Sequence, residues 1–191
     1  MSVNEHVKTN IVSGVYSRTV SSEIFWVMTF TVLTFFAAQV EVPVQPVPFT
    51  LQTMLVVLAG AFLGSKNGAY SQIIYIFLGS IGLPVFAGFS SAASLFGPTG
   101  GYLLAFPLGA YITGLIIEKR KSLTSVWLAM ALATLVIILT GASYLSLFFG
   151  RGMGNSFFMG ALIFSVWDII KISAAASIYF SMSKRYSKLP K

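Results

Sequence analysis

FFMGALIFSVWDIIKISAAASIYFSM, residues Phe157 to Met182, is an apolar run long enough to cross a bilayer, and it carries Asp168 and Lys171 at its middle. The spacing is i, i+3, so a helix sets both side chains on one face, close enough to touch. An ionisable group at mid-membrane costs about 2.5–3.5 kcal/mol on insertion scales, so such groups turn toward the protein interior. Two readings follow. The pair neutralises itself and pins this helix to its neighbours, or it offers an acceptor and donors to a polar solute held between helices.

Working outward, the rest of the chain has the composition such a helix needs. Of 191 residues, 56% are hydrophobic and 9% charged, where soluble domains carry about 25% charged residues. Mean hydropathy is +0.85. The length fits one all-α integral membrane domain. The absence of cysteine excludes disulfides and thiolate metal sites, and the single His6 builds no ordinary zinc site. The net charge of +7 would suggest nucleic acid in a soluble protein. Here the basic residues flank apolar runs, so they act as topology signals and no nucleic-acid partner is expected.

Residues 1–22 are polar and lack the early apolar core of a signal peptide, so Ile24–Val40 is expected as a retained first membrane helix. Pro43, Pro46 and Pro48 then exclude a continuous helix. Apolar, non-helical backbone at membrane depth needs shelter from protein or a water-lined cavity. The segment is therefore a lid, a re-entrant loop or a plain surface turn. Leu51–Gly64 is expected as a short second helix ending at Ser65–Gly68, and Ala69–Gly79 as a third. Gly60, Gly64 and Gly68 make a small-residue stripe suited to close helix approach.

Residues 80–101 are broken by glycine, serine and proline, yet Phe86, Phe89, Leu95 and Phe96 call for burial. A long apolar loop is usually functional. Its Gly97-Pro98-Thr99-Gly100-Gly101 run lacks the Gly-Lys-Ser/Thr ending of a phosphate loop. Helix 4 is expected at Tyr102–Ile117 and helix 5 at about Leu123–Phe149, with a glycine-rich turn at Gly150–Asn155 before helix 6. With the N-terminus in the cytoplasm, Lys8, Arg18, Lys66, Lys119, Arg120, Lys121, Lys184, Arg185, Lys188 and Lys191 all fall inside, and Arg151 falls outside. The organisation expected is a cytoplasmic tail (1–22), a six-helix membrane domain (23–183) and a basic cytoplasmic tail (184–191). Two apolar loops then cap an outward-facing site, with Asp168 about 18 Å along helix 6 at 1.5 Å per residue.

Four motifs in this order resemble one family. They are Pro46-Val47-Pro48-Phe49-Thr50-Leu51-Gln52-Thr53, Leu58-Ala59-Gly60-Ala61-Phe62-Leu63-Gly64, Gly79–Gly88 with Ile81-Gly82-Leu83-Pro84 at its centre, and Phe96-Gly97-Pro98-Thr99-Gly100-Gly101-Tyr102. Together they are similar to the BioY family, the biotin-specific S components of energy-coupling-factor transporters, over about residues 24–182. The resemblance implies biotin as transported ligand, no cofactor of its own, and a place in the cell membrane. It also implies cytoplasmic partners, a transmembrane coupling subunit and two ATPase subunits that use the ATP. The family's Asp-x-x-Lys falls on Asp168 and Lys171. A carboxylate accepts from the ureido N–H groups of biotin, and an ammonium donates to its carbonyl. Thr50 and Gln52 are expected as further polar contacts, and Phe86 and Tyr102 as apolar walls or as core. Phe49, Ser90 and Gly100 complete the expected site. Two departures stand out. Ile163–Trp167 has none of the prolines usual before the aspartate, which predicts a straighter helix 6, and the small-residue surface on helix 1 is Thr34-x-x-x-Ala38. The rival readings are an S component for another vitamin, a membrane-embedded enzyme with Asp168 as general base, and a purely structural bundle.

Overall fold

The computed structural model describes residues 22–44, 46–149 and 153–185. The expected site residues all lie within these. The N-terminal tail with His6, Lys8 and Arg18, and Gln45, Arg151, Lys188 and Lys191, lie outside them.

The helices are α1 (Glu23–Gln39), α2 (Gln52–Ser80), a five-residue α3 (Ala92–Phe96), α4 (Gly100–Lys119), α5 (Leu123–Phe149) and α6 (Met153–Arg185). The proline segment leaves α1 and returns as a short antiparallel ribbon, β1 (Glu41–Val42) with β2 (Phe49–Thr50), in the register Glu41↔Thr50 and Val42↔Phe49. Its prolines sit between the two strands, where no ladder N–H is required. The ribbon holds the two β-strands among the described residues, in an otherwise mostly helical chain.

α2 is two helical limbs folded back on each other. Gly64 has φ 81° and ψ −179°, a conformation reserved for glycine. A methyl on Gly68 would strike the backbone of Gly60. Eight residues of straight helix would separate those positions by about 12 Å, so the chain reverses at Gly64. This corrects the expected four-residue turn at Ser65–Gly68. The second limb starts at once because Glu118 of α4 accepts from the Ser65 N–H at 2.6 Å, and from its hydroxyl at 3.1 Å. A carboxylate there satisfies an orphan donor and meets the positive end of the limb. The small-residue stripe splits its roles. Gly60 lies against Ala110 of α4 and Gly68 against Gly60, leaving no room for a methyl at either, whereas Gly64 supplies the turn.

α4 sits between α2 and α5, α1 packs on α2, and α6 closes the bundle against α5 and α2. α4 begins two residues earlier than expected, and α6 begins at Met153, inside the expected Gly150–Asn155 turn, and ends at Arg185, two residues past the expected boundary, while α5 matches. α6 runs without a break through Asp168, as the absence of proline predicted. The loop after α2 is more ordered than its composition suggested, with a 3₁₀ turn at Ala87–Phe89, a bridge between Phe86 and Ser90, and α3. Phe86 and Leu95 are buried as expected. Phe89 and Phe96 are not, at 64% and 73% exposed.

Large apolar side chains cover outward faces: Leu128, Leu132, Leu135 and Leu139 on α5, and Val166, Trp167, Ile169 and Ile170 on α6. Such continuous apolar surface marks a membrane or partner interface. Among the described residues, α4 and α5 are each long and apolar enough to cross a membrane, and α1 is apolar over a shorter length.

Candidate functional site

Along α6, Asp168, Lys171, Ile172, Ala175, Ala176 and Tyr179 are buried, while Val166, Trp167, Ile169 and Ile170 are exposed. That is the stripe of a helix with one protein-facing side, and both ionisable residues lie on it at 4% and 8% exposed. Lys171 Nζ lies 2.7 Å from Asp168 Oδ1. It also donates to Thr53 Oγ1 at 2.6 Å and to the Thr50 carbonyl at 3.3 Å. An ammonium has three donors, so all three are engaged. Asp168 differs. Its Oδ1 is met by the Lys171 charge alone, and its buried Oδ2 finds no hydrogen-bond partner among the described residues.

From Lys171 the polar contacts run into the capping segments. Thr50 Oγ1 donates to Gln52 Oε1 at 2.9 Å, and Gln52 Nε2 donates to the Tyr75 hydroxyl at 2.7 Å. Tyr75 in turn donates to the Val85 carbonyl at 2.8 Å. Gln39, the last residue of α1, grips the same loop twice, donating to the Phe86 carbonyl and accepting from the Phe89 N–H, both at 3.1 Å.

These segments border a cavity of about 110 Å³, with Thr50, Gln52, Thr53, Phe86, Ser94 and Tyr102 in its wall and Val47, Leu103 and Phe106 among its apolar lining. Four expected site residues, Thr50, Gln52, Phe86 and Tyr102, therefore share one space. Asp168 and Lys171 stand behind that wall, joined to it through Thr50 and Thr53. Phe49 packs beside the core formed by Phe86 and Tyr102. Ser90 is not part of the cavity wall and reaches it only through its hydroxyl contact with Ser94 at 2.6 Å. Gly100 is a packing position, for a methyl there would strike the Leu95 carbonyl.

Phe86 is both wall and core. Its ring meets Tyr75 edge-on at 5.3 Å, and a methyl on Gly79 would overlap it. Sequence reasoning missed Thr53, Ser94, Thr99 and Tyr75. Thr53 lies one residue past Gln52 in a quoted motif, so its signal was present. Tyr75 lies mid-helix in an apolar run, and nothing in the sequence marks its hydroxyl.

The chain matches the model of the BioY family over residues 7–188. It is 44% identical over 159 residues to a probable biotin transporter BioY of Pyrococcus horikoshii, covering 83% of this chain and 94% of that protein. It is 40% identical over 156 residues to the biotin transporter BioY of Thermotoga maritima, covering 81% and 92%. Its fold superposes with a TM-score of 0.80, at 26% identity, on the crystal structure of the S-component for biotin from an ECF-type ABC transporter, covering 96% of this chain and 95% of that one. On the family match and on these relatives, the chain belongs to the BioY family.

Proposed function

We propose that this chain is a biotin-binding S component that captures the vitamin at the outer face of the membrane and hands it to an ATP-driven coupling module. The observation that carries the reading is the buried Asp168–Lys171 pair, whose carboxylate retains an unpartnered oxygen. A buried carboxylate oxygen without a donor is costly. The ureido group of biotin supplies N–H donors for it. The ureido carbonyl takes the Lys171 donor now spent on the Thr50 carbonyl, the longest of the three Lys171 contacts. Thr50 and Gln52 provide further polar contacts, and Phe86 and Tyr102 bound the apolar ring and chain. Ligand pockets commonly span about 300–1,000 Å³, so the capping segments part to admit the vitamin.

In this reading the six helical limbs cross the membrane with both termini in the cytoplasm. The ribbon and the loop after α2 cover the outer mouth. A transmembrane subunit and two ATPases drive release inward. The chain itself performs no chemistry on its ligand. Support comes from the BioY relatives, each named a biotin transporter, and from an S-component for biotin with the same fold. The test is equilibrium binding of labelled biotin to the purified protein, with thiamine and riboflavin as competitors. Tight binding displaced by biotin alone is expected. Preference for another vitamin, or no binding, sinks the proposal.

A further inference from the structure

We propose that Tyr75 is a positioning residue that ties the two capping segments into one unit over the cavity. The tie is its hydroxyl, which accepts from Gln52, the first residue of α2 and itself bonded to Thr50 of the ribbon, and donates to the Val85 carbonyl in the loop after α2. The two segments are distant in sequence, and Tyr75 comes from the second limb of α2 between them. Tyr75 is fully buried and stands outside the cavity wall, so it acts through its neighbours. Gln52 Oε1 is held by Thr50, and the Thr50 carbonyl takes a donor from Lys171. Any ligand group that displaces that donor therefore disturbs a chain of hydrogen bonds ending at Val85. Linked bonds in a low-dielectric interior strengthen one another, so the order of one segment is transmitted to the other. The same residue supports Phe86 edge-on. Its hydroxyl and its ring thus both fix the residue pair Val85–Phe86.

Tyr75→Phe separates these roles, because it keeps the ring and removes both hydroxyl contacts. The inference rests on the biotin reading for its kinetic arm only. Two lost hydrogen bonds predict biotin dissociation about tenfold faster, with association little changed. 3-Fluorotyrosine at position 75, which retains the hydroxyl, should restore the slow rate. The second arm needs no ligand. The chain has no cysteine, and Val42 and Phe96 are exposed on the two segments. Spin labels at Val42→Cys and Phe96→Cys report their separation. A narrow distribution is expected in the parent and a broad one in both Tyr75→Phe and Gln52→Leu. A distribution as narrow in both variants as in the parent, or a lower melting temperature in Tyr75→Phe with unchanged dissociation, overturns the tie. Failure of the parent to bind biotin at all would instead overturn the proposed function.

Discussion

Asp168 and Lys171 form a buried ion pair on α6, and paired substitutions there separate stability from binding. Removing one partner of a buried ion pair leaves an uncompensated charge, at about 3–5 kcal/mol, whereas replacing both by apolar residues of similar volume is often neutral. Lys171→Ala should therefore lower the thermal midpoint in detergent and weaken biotin binding by about 100-fold, the scale of one or two charge-assisted hydrogen bonds. Asp168→Leu with Lys171→Met should regain the midpoint and still bind no biotin. Measured together by thermal unfolding and radioligand binding, the two variants distinguish a pair that serves a guest from one that only pins α6. Retained binding in the double variant would assign the pair to packing.

At the level of elements, the reversal inside α2 sets the geometry of everything outward of it. Gly64 holds a backbone conformation that other residues reach only at about 1–3 kcal/mol, and a methyl there would also press on the Glu118 carboxylate. Gly64→Ala should lower the thermal midpoint, and Glu118→Ala should do so by uncapping Ser65, with Glu118→Gln milder because an amide oxygen still accepts. A second glycine, Gly79, acts at the far end of the second limb. Gly79→Ala would drive Phe86 from its seat, so biotin affinity should fall with less loss of stability than Gly64→Ala. Equal midpoint losses with unchanged affinity would remove Phe86 from the wall of the site.

For the whole molecule, the proposed orientation rests on the placement of charge and apolar surface. Large apolar side chains are exposed on α1 (Phe25, Met28, Val32, Phe36), on α5 (Leu128, Leu132, Leu135, Leu139) and on the described part of α6 (Val166, Trp167, Ile169, Ile170), and Lys119, Arg120 and Lys121 cluster at the α4–α5 turn. The ribbon and the loop after α2 lie together, joined through Gln39, Gln52 and Tyr75. Single cysteines at Val42 and at Lys121 should divide cleanly under a membrane-impermeant maleimide in intact cells. Val42→Cys should react and Lys121→Cys should react only after permeabilisation. The reverse pattern would invert the topology.

The amino-acid sequence by itself determined the class of the molecule, most of its helices and its ionisable pair. These depend on local quantities: apolar length, proline and glycine breaks, and a three-residue spacing that fixes a shared helical face. It also marked Thr50, Gln52, Phe86 and Tyr102, because they fall in or beside ordered motifs. Only the tertiary structure decided that α2 folds back on a single residue, since that turn depends on Glu118, 53 residues away from its Ser65 partner. Only packing divided the loop aromatics, burying Phe86 against Tyr75 and Gly79 and leaving Phe89 and Phe96 outside. The hydrogen-bonded chain from Lys171 to Val85 was likewise beyond the sequence. It is made by side chains from α6, the ribbon and both limbs of α2, and no linear pattern encodes which of them meet.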